Sequence, residues 1–311
     1  MAKKIFITGG AGFIGSAVIK HLQRSNHELL VYDDLSFGNP QFINVGSNGF
    51  IKGNILDEEL LKTSLLNFSP DYVIHLAAVH FIPYCNEHPF ESANINIQGT
   101  LHVLNSCSKL KNLEKVFFAS TAAVYPIFGE AIPETMAPSP SDIYGLSKLA
   151  GEELCKKFHG ETNIPTIICR FFNAFGPNET NPHLIPAIQQ QVMSGDRIIK
   201  LGNTEPKRDF IHTYDMARAV EMLLQQFKEG IDIFNLGQGI EYSVLDVLGA
   251  FEKALGEKLT IEIEPARVRK TDRLHLLADI SKLTKATGWR PSIGLDAGIK
   301  TLISHETAGA A

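Results

Sequence analysis

The chain is poor in the residues that mark several protein classes. Among its 311 residues are four cysteines and one tryptophan. Cys85, Cys107, Cys155 and Cys169 are scattered and none pairs at metal-site spacing, which argues against zinc and against a disulfide framework. Sparse thiols of this kind fit a reducing compartment, and the expected location is cytoplasmic. A basic excess is also missing: 29 Lys and Arg face 34 Asp and Glu, a formal net charge of −5. That balance argues against nucleic-acid and anionic-membrane partners. No apolar run approaches the roughly 20 residues that span a bilayer. The run Ile5-Phe6-Ile7 stops at Thr8-Gly9-Gly10, too short for a secretory core. Internal repeats and low-complexity tracts are absent as well. What is present is a globular composition with 44% hydrophobic residues and enough length for about two domains.

The first half alternates short β-rich apolar runs with longer amphipathic stretches. Strands are predicted at Lys4–Thr8, His27–Asp33, Phe50–Gly53, Tyr72–Ala77, Val116–Ser120 and Thr166–Arg170. Helices are predicted at Gly12–Ser25, Asp57–Asn67, Glu91–Leu110 and Gly145–His159. Continuous apolar strands between helices mean a parallel sheet covered on both faces. Right-handed crossovers make it doubly wound. After Gly176-Pro177 the strands shorten, as at Ile198–Leu201 and Thr260–Ile263. Asn178–Asn181 and Asn203–Arg208 read as polar turns. The expectation is an α/β chain: a dinucleotide-binding domain over residues 1–176 and a smaller α+β substrate lobe over 177–311. Ile231–Asn235 looks like one more buried strand, so the chain is expected to return to the main sheet near 212–237.

Thr8-Gly9-Gly10-Ala11-Gly12-Phe13-Ile14-Gly15 follows the first strand and opens the first helix. It contains G-x-G-x-x-G, the glycine pattern of a Rossmann turn. The turn must be tight, a pyrophosphate must approach bare backbone, and the helix must pack closely on the strand. The helix N-terminus offers free N–H groups to the anion. Asp33 closes the second strand, near the offset at which a carboxylate binds a ribose 2′-hydroxyl. With Asp34 behind it, that acid would repel a 2′-phosphate, so NAD is favoured over NADP.

Tyr144 and Lys148 lie one helical turn apart and share a face. The strand ending at Ser120-Thr121 precedes them and brings a hydroxyl to the carboxyl edge of the sheet, where such folds bind ligands. Tyr has a reference pKa of about 10, and basic action near neutrality needs a fall of roughly 2 to 3, about 3 to 4 kcal/mol. A nearby ammonium and a nicotinamide cation would favour the phenolate to that extent. Tyr144 would then take a proton from a substrate hydroxyl while hydride leaves the same carbon, with Thr121 holding that hydroxyl in line.

With these residues the chain resembles the extended short-chain dehydrogenase/reductase family and, more narrowly, nucleotide-sugar epimerases of the UDP-glucose/UDP-N-acetylglucosamine 4-epimerase type. His75-Leu76-Ala77-Ala78 resembles the segment beneath the cofactor, and Asn94 to Thr100 resembles the helix whose Asn, here Asn96, lies near the nicotinamide. Asn54-Ile55 stands where relatives have Gly-Asp-Ile against adenine. Arg170 to Pro177 is similar to the segment whose Asn, here Asn173, contacts the substrate diphosphate. His183-Leu184 matches a substrate-contacting position, and Lys207 to His212 carries an Arg, Arg208, on the diphosphate side. Arg269, followed by Asp272, resembles a second such Arg. The resemblance thus implies cofactor contacts at Gly9, Gly12, Phe13, Ile14, Asp33, Asp34, Asn54, Ile55, Leu76, Ala77, Ala78, Asn96, Tyr144, Lys148 and Phe172. It implies substrate contacts at His80, Thr121, Asn173, His183, Leu184, Arg208, Arg269 and Asp272. For His80, a contact to sugar or cofactor and a structural role at the strand end are equally open.

Relatives that eliminate water usually carry Asp-Glu after the hydroxyl residue; this chain has Ala122-Ala123. With no second acid or base in that motif, the expected reaction is redox-neutral: oxidation to a 4-keto sugar, turning in the site, and return of hydride to the other face. That is 4-epimerisation of a nucleoside-diphosphate hexose, a UDP-sugar above all, with NAD regenerated in each cycle. The competing readings are a reductase, decarboxylase or 4,6-dehydratase on the same scaffold, and a non-catalytic NAD-binding protein. Two departures bear on the sugar: the stiffened loop Pro126-Ile127-Phe128-Gly129, and Leu276 where relatives set room for a 2-N-acetyl group. The family habit of pairing through two helices makes a homodimer the expected assembly.

Overall fold

The computed structural model describes residues 2–268 and 273–309. In chain order the first half runs β1 (Lys4–Thr8), α1 (Phe13–Leu22), β2 (Glu28–Asp33), β3 (Phe50–Lys52), α2 (Glu58–Phe68), β4 (Tyr72–His75), α3 (Ile82–Glu87), α4 (Pro89–Ala93), α5 (Gly99–Cys107), β5 (Lys115–Thr121), β6 (Ala131–Ile132), α6 (Ile143–Thr162) and β7 (Thr166–Phe171). The second half runs β8 (Asn173–Phe175), α7 (Leu184–Met193), β9 (Ile198–Leu201), β10 (Lys207–His212), α8 (Thr213–Gln226), β11 (Ile231–Leu236), β12 (Glu241–Ser243), α9 (Val244–Leu255), β13 (Thr260–Ile263), β14 (Leu277–Ala278), α10 (Ser281–Thr287) and α11 (Leu295–Gly309).

Seven strands form one sheet in the order β3-β2-β1-β4-β5-β7-β11, and every neighbouring pair is parallel. This is the doubly wound Rossmann architecture. Its central strands β1, β4, β5 and β7 are buried along almost their whole length because helices cover both faces. On one face Ile7, Val31, Ile74 and Phe117 pack with Val220 and Leu224 of α8 and with Trp289. On the other, Phe6, Val73 and Phe118 pack with Leu61 of α2, Val103 of α5 and Cys155 of α6. A separate apolar cluster joins Ile188 of α7, Ile199, Phe251 of α9 and Ile299 of α11. Among the described residues no helix is long and apolar enough to cross a membrane.

Two expectations are corrected. Lys207 and Arg208, read as part of a polar turn, belong to β10, which pairs parallel with β8 and antiparallel with β12. Glu91–Leu110 is not one regular helix: a π-helical turn at Asn94–Gln98 separates α4 from α5. That wide turn carries the Asn96 side chain inward, where its amide bonds both the N–H and the carbonyl of Val79. Such turns cluster at functional sites.

Candidate active site

The site lies at the carboxyl edge of the seven-stranded sheet, where β1, β4, β5 and β7 release their loops. A cavity of about 960 Å³ runs from the glycine turn to the second lobe.

Its first half begins at the turn after β1. Gly9 has φ +71, and a Cβ there would stand 2.5 Å from the Ala77 nitrogen; one on Gly15 would stand 2.3 Å from the Gly9 carbonyl. Those glycines let strand, turn and helix approach closely. Gly12 is different. A Cβ there would meet only the Gly9 carbonyl, at 3.4 Å, and Gly12 lines the cavity beside Phe13 and Ile14. The missing side chain leaves a bare cradle at the start of α1, the shape and polarity that a pyrophosphate requires. Asp33, 8% exposed, accepts the Ala11 and Leu35 N–H groups, each at 2.9 Å. Burial pushes its carboxyl upward, against those two bonds. Each oxygen keeps a second acceptor position for a ribose hydroxyl. Asn54 donates to Asp34 Oδ2 at 2.8 Å and accepts the Leu56 N–H at 2.8 Å. The Asn54 amide thus ties the segment after β3 to Asp34 at the end of β2, at one end of the cavity. Asp34, Ile55, Leu76, Ala77 and Ala78 complete this half. These residues fit a dinucleotide.

The middle of the cavity holds the expected trio. Asp142 caps α6 by accepting the Gly145 N–H at 2.7 Å. Gly145 packs so closely that a Cβ would stand 2.5 Å from the Ala123 carbonyl. That contact draws the first turn of α6 onto the end of β5, so Tyr144 and Thr121 line the same stretch of the cavity. Thr121 is held in turn by the Ala123 N–H, which donates to Oγ1 at 3.1 Å. Lys148 is 3% exposed, with Nζ 4.4 Å from the centre of the Phe118 ring. Burial lowers it to about 8. One turn on, Glu152 takes a bidentate pair from Arg170, at 2.9 and 2.7 Å, and a bond from Ser120 at 2.5 Å. This buried pair fastens α6 to β5 and β7.

The phenol itself departs from the expectation. Burial pushes Tyr144 well above its ordinary value, and the neighbouring Thr121 hydroxyl only partly opposes this. The chain alone therefore holds Tyr144 as a proton donor.

The second half is lined by Phe172, Asn173, His80, His183, Arg208 and Leu276. Arg208 Nη1 donates to the Arg273 carbonyl at 2.6 Å, and Arg273 lines the same wall. Ile127 of the prolyl loop also reaches the cavity. Two expected contacts fall elsewhere. Asn96 is 1% exposed and spends its amide on Val79 and on Ser147 Oγ; it positions the loop after β4 and does not line the cavity. Leu184 begins α7 and its side chain joins the second-lobe core instead. Arg269 and Asp272 lie outside the described residues. Glu179, absent from the expected set, lines the cavity beside His183. It sits in the segment read only as a polar turn, where an acid followed by Pro182-His183 is its single trace in the sequence.

A parallel sheet with a bare glycine cradle, an acid closing β2 and a Tyr–Lys pair under a hydroxyl defines a dinucleotide-dependent enzyme of the short-chain dehydrogenase kind. The chain belongs to the NAD dependent epimerase/dehydratase family, whose pattern it matches over residues 5–237. It is 31% identical to a UDP-glucose 4-epimerase of Halalkalibacterium halodurans over 326 residues, covering 97% of this chain and 93% of that one. Two solved structures share the fold. One is UDP-glucose 4-epimerase with UDP-glucose from Thermotoga maritima (27% identity, TM-score 0.91, 99% of this chain and 100% of that one). The other is the UDP-glucose 4-epimerase of Thermus thermophilus in complex with NAD (29% identity, TM-score 0.89, 99% and 100%).

Proposed function

We propose that the protein interconverts the C4 epimers of a nucleoside-diphosphate hexose, a UDP-sugar above all, through a transient 4-keto sugar. The observation that carries this reading is the convergence of Tyr144, Thr121 and buried Lys148 on one cavity that also holds the glycine cradle and Arg208. The full-length relatives named UDP-glucose 4-epimerase support it.

NAD, when bound, would supply the hydride acceptor and donor and a pyridinium charge. The chain supplies everything else. The cradle at Gly9 and Gly12 and the acid Asp33 hold the dinucleotide; Asp34 behind them disfavours a 2′-phosphate. Thr121 Oγ1 aligns the substrate C4 hydroxyl with Tyr144. Tyr144 takes that proton when cationic charge offsets the burial that holds its own proton, and it returns the proton to the same C4 oxygen once the sugar has turned its other face to the cofactor side. Lys148, one turn along α6 in the same cavity, would supply part of that cationic charge. Arg208 and Asn173 would grip the diphosphate, leaving the sugar free to turn. We assign the substrate contacts to His80, Thr121, Asn173, His183 and Arg208. The location is cytoplasmic and the assembly a homodimer, a reading supported by scattered buried thiols and by exposed apolar side chains on α4, α5 and α6.

The test is incubation of the NAD-loaded protein with UDP-glucose, UDP-galactose and their N-acetylamino forms, followed by NMR of the products. The expected result is inversion at C4 with no net NADH. Net cofactor turnover, carbon dioxide or a stable keto-sugar would assign the chain to another reaction. Leu276, 8% exposed and on the cavity wall, leads us to expect turnover of the N-acetyl sugars. Conversion of UDP-glucose without conversion of UDP-N-acetylglucosamine would reject that part.

A further inference from the structure

Glu179 is a carboxylate with no part in the mechanism above. Its side chain is 5% exposed, yet it lines the substrate half of the cavity. The segment that carries it is built rather than loose. Asn178, at φ +70, donates to Ser16 Oγ at 3.2 Å. Asn181 donates its backbone N–H to Glu179 Oε1 at 3.0 Å and its side-chain amide to His80 Nε2 at 3.0 Å. His183 closes the segment, with Nδ1 3.7 Å from Glu179 Oε2. Burial works to raise the Glu179 carboxyl, but the His183 contact and the Asn181 bond outweigh it, so the group stays below its ordinary value and charged.

The charge has a defined position. His80 lines the cavity with Glu179 and Lys148 and is joined to the Glu179 segment by Asn181. Burial lowers His80, and the bond from Asn181 makes its Nε2 an acceptor; His80 is neutral and brings no positive charge to this wall. Arg208 and Arg273 stand together elsewhere, where the diphosphate is assigned. The wall between His80 and His183 therefore presents the Glu179 carboxylate to the ligand, with the His183 ring 3.7 Å from one of its oxygens. A buried anion accepts hydrogen bonds from hydroxyls and repels acids.

We propose that Glu179 is a specificity-determining residue of the sugar pocket: its carboxylate accepts a hydrogen bond from a hydroxyl of a neutral hexose and excludes nucleotide sugars that carry a carboxylate, the uronates. The inference rests on the nucleotide-sugar reading above.

Calorimetric titration of the NAD-loaded protein with UDP-glucose and with UDP-glucuronate tests it, in the wild type and in Glu179→Gln. The wild type is expected to bind UDP-glucose tighter by about tenfold or more, since like-charge contact suppresses wrong partners. Glu179→Gln keeps the shape and removes the charge; it is expected to narrow that ratio by about tenfold, chiefly by tighter UDP-glucuronate binding. The wild-type ratio stands as a separate test should the variant fold poorly. A wild type that binds UDP-glucuronate as tightly as UDP-glucose, or a variant whose ratio is unchanged, overturns the role of Glu179 while leaving the function standing. Binding of neither nucleotide overturns both.

Discussion

At the residue scale, Tyr144 and Lys148 have opposed environments. Burial raises the phenol and lowers the ammonium to about 8, because taking either charged form out of water is costly. The sign for Lys148 follows directly. Below about 8 the amine is protonated and can support a phenolate; above it the charge is lost. We expect kcat/KM of the NAD-loaded enzyme to fall through an alkaline limb at about 8 or below, and a flat profile from neutrality into that range would remove Lys148 as the titrating group. Tyr144→Phe should still bind NAD and UDP-sugar and lose roughly 10² to 10⁴ in kcat. Full activity in that variant would remove Tyr144 as the base. Both residues are legible in the sequence because their spacing fixes a shared helix face. Glu179 and Arg273 are not. They sit on irregular segments, where side-chain direction is set by contacts distant in sequence, such as Asn178 on Ser16 and Arg208 on the Arg273 carbonyl.

At the element scale, the glycine turn separates two jobs that one motif conflates. Gly9 and Gly15 have backbone where a Cβ would go; Gly12 has open cavity. Gly9→Ala also forces a side chain into φ +71. Strain and overpacking together should cost roughly 3 kcal/mol of stability, read as a lower denaturant midpoint. Gly12 sits at φ −80, a conformation alanine adopts freely. Gly12→Ala should therefore melt close to wild type and fail to retain NAD. Equal NAD affinity in that variant would show that the pyrophosphate does not lie over Gly12. The central strands are legible for the same reason this turn is: β1, β2, β4, β5 and β7 are continuous apolar runs bounded by turn residues. β8, β12 and β14 are two or three residues long, too short for any period to register. β10 opens with Lys207 and Arg208 because its first residues face β12 outside the core. The π-helical turn before α5 has no periodic trace either; it is held by the Asn96–Val79 bonds, which join residues 17 apart.

At the scale of the whole molecule, α6 faces two ways. Tyr144 and Lys148 point into the cavity. Leu146 lies halfway between them in sequence, about 200° around the helix from either, and is 54% exposed. On adjoining helices Phe90 of α4 is 91% exposed and Leu101 of α5 is 42% exposed. Large apolar side chains grouped on packed neighbouring helices mark an interaction surface more often than a free one. A symmetric pair would bury that surface against itself. The helix carrying the catalytic pair would then be clamped from both sides, by the sheet within and by the partner without. Assembly and catalysis are coupled on this view. Leu146→Glu places a charge on the outer face without touching the cavity, so it should shift the protein to monomers by light scattering at micromolar concentration. It should also lower the thermal midpoint and make specific activity fall as the enzyme is diluted. A wild type that is monomeric at that concentration, or a monomeric Leu146→Glu variant with undiminished activity at every dilution, would show that α6 needs no partner to keep Tyr144 in the cavity with Thr121.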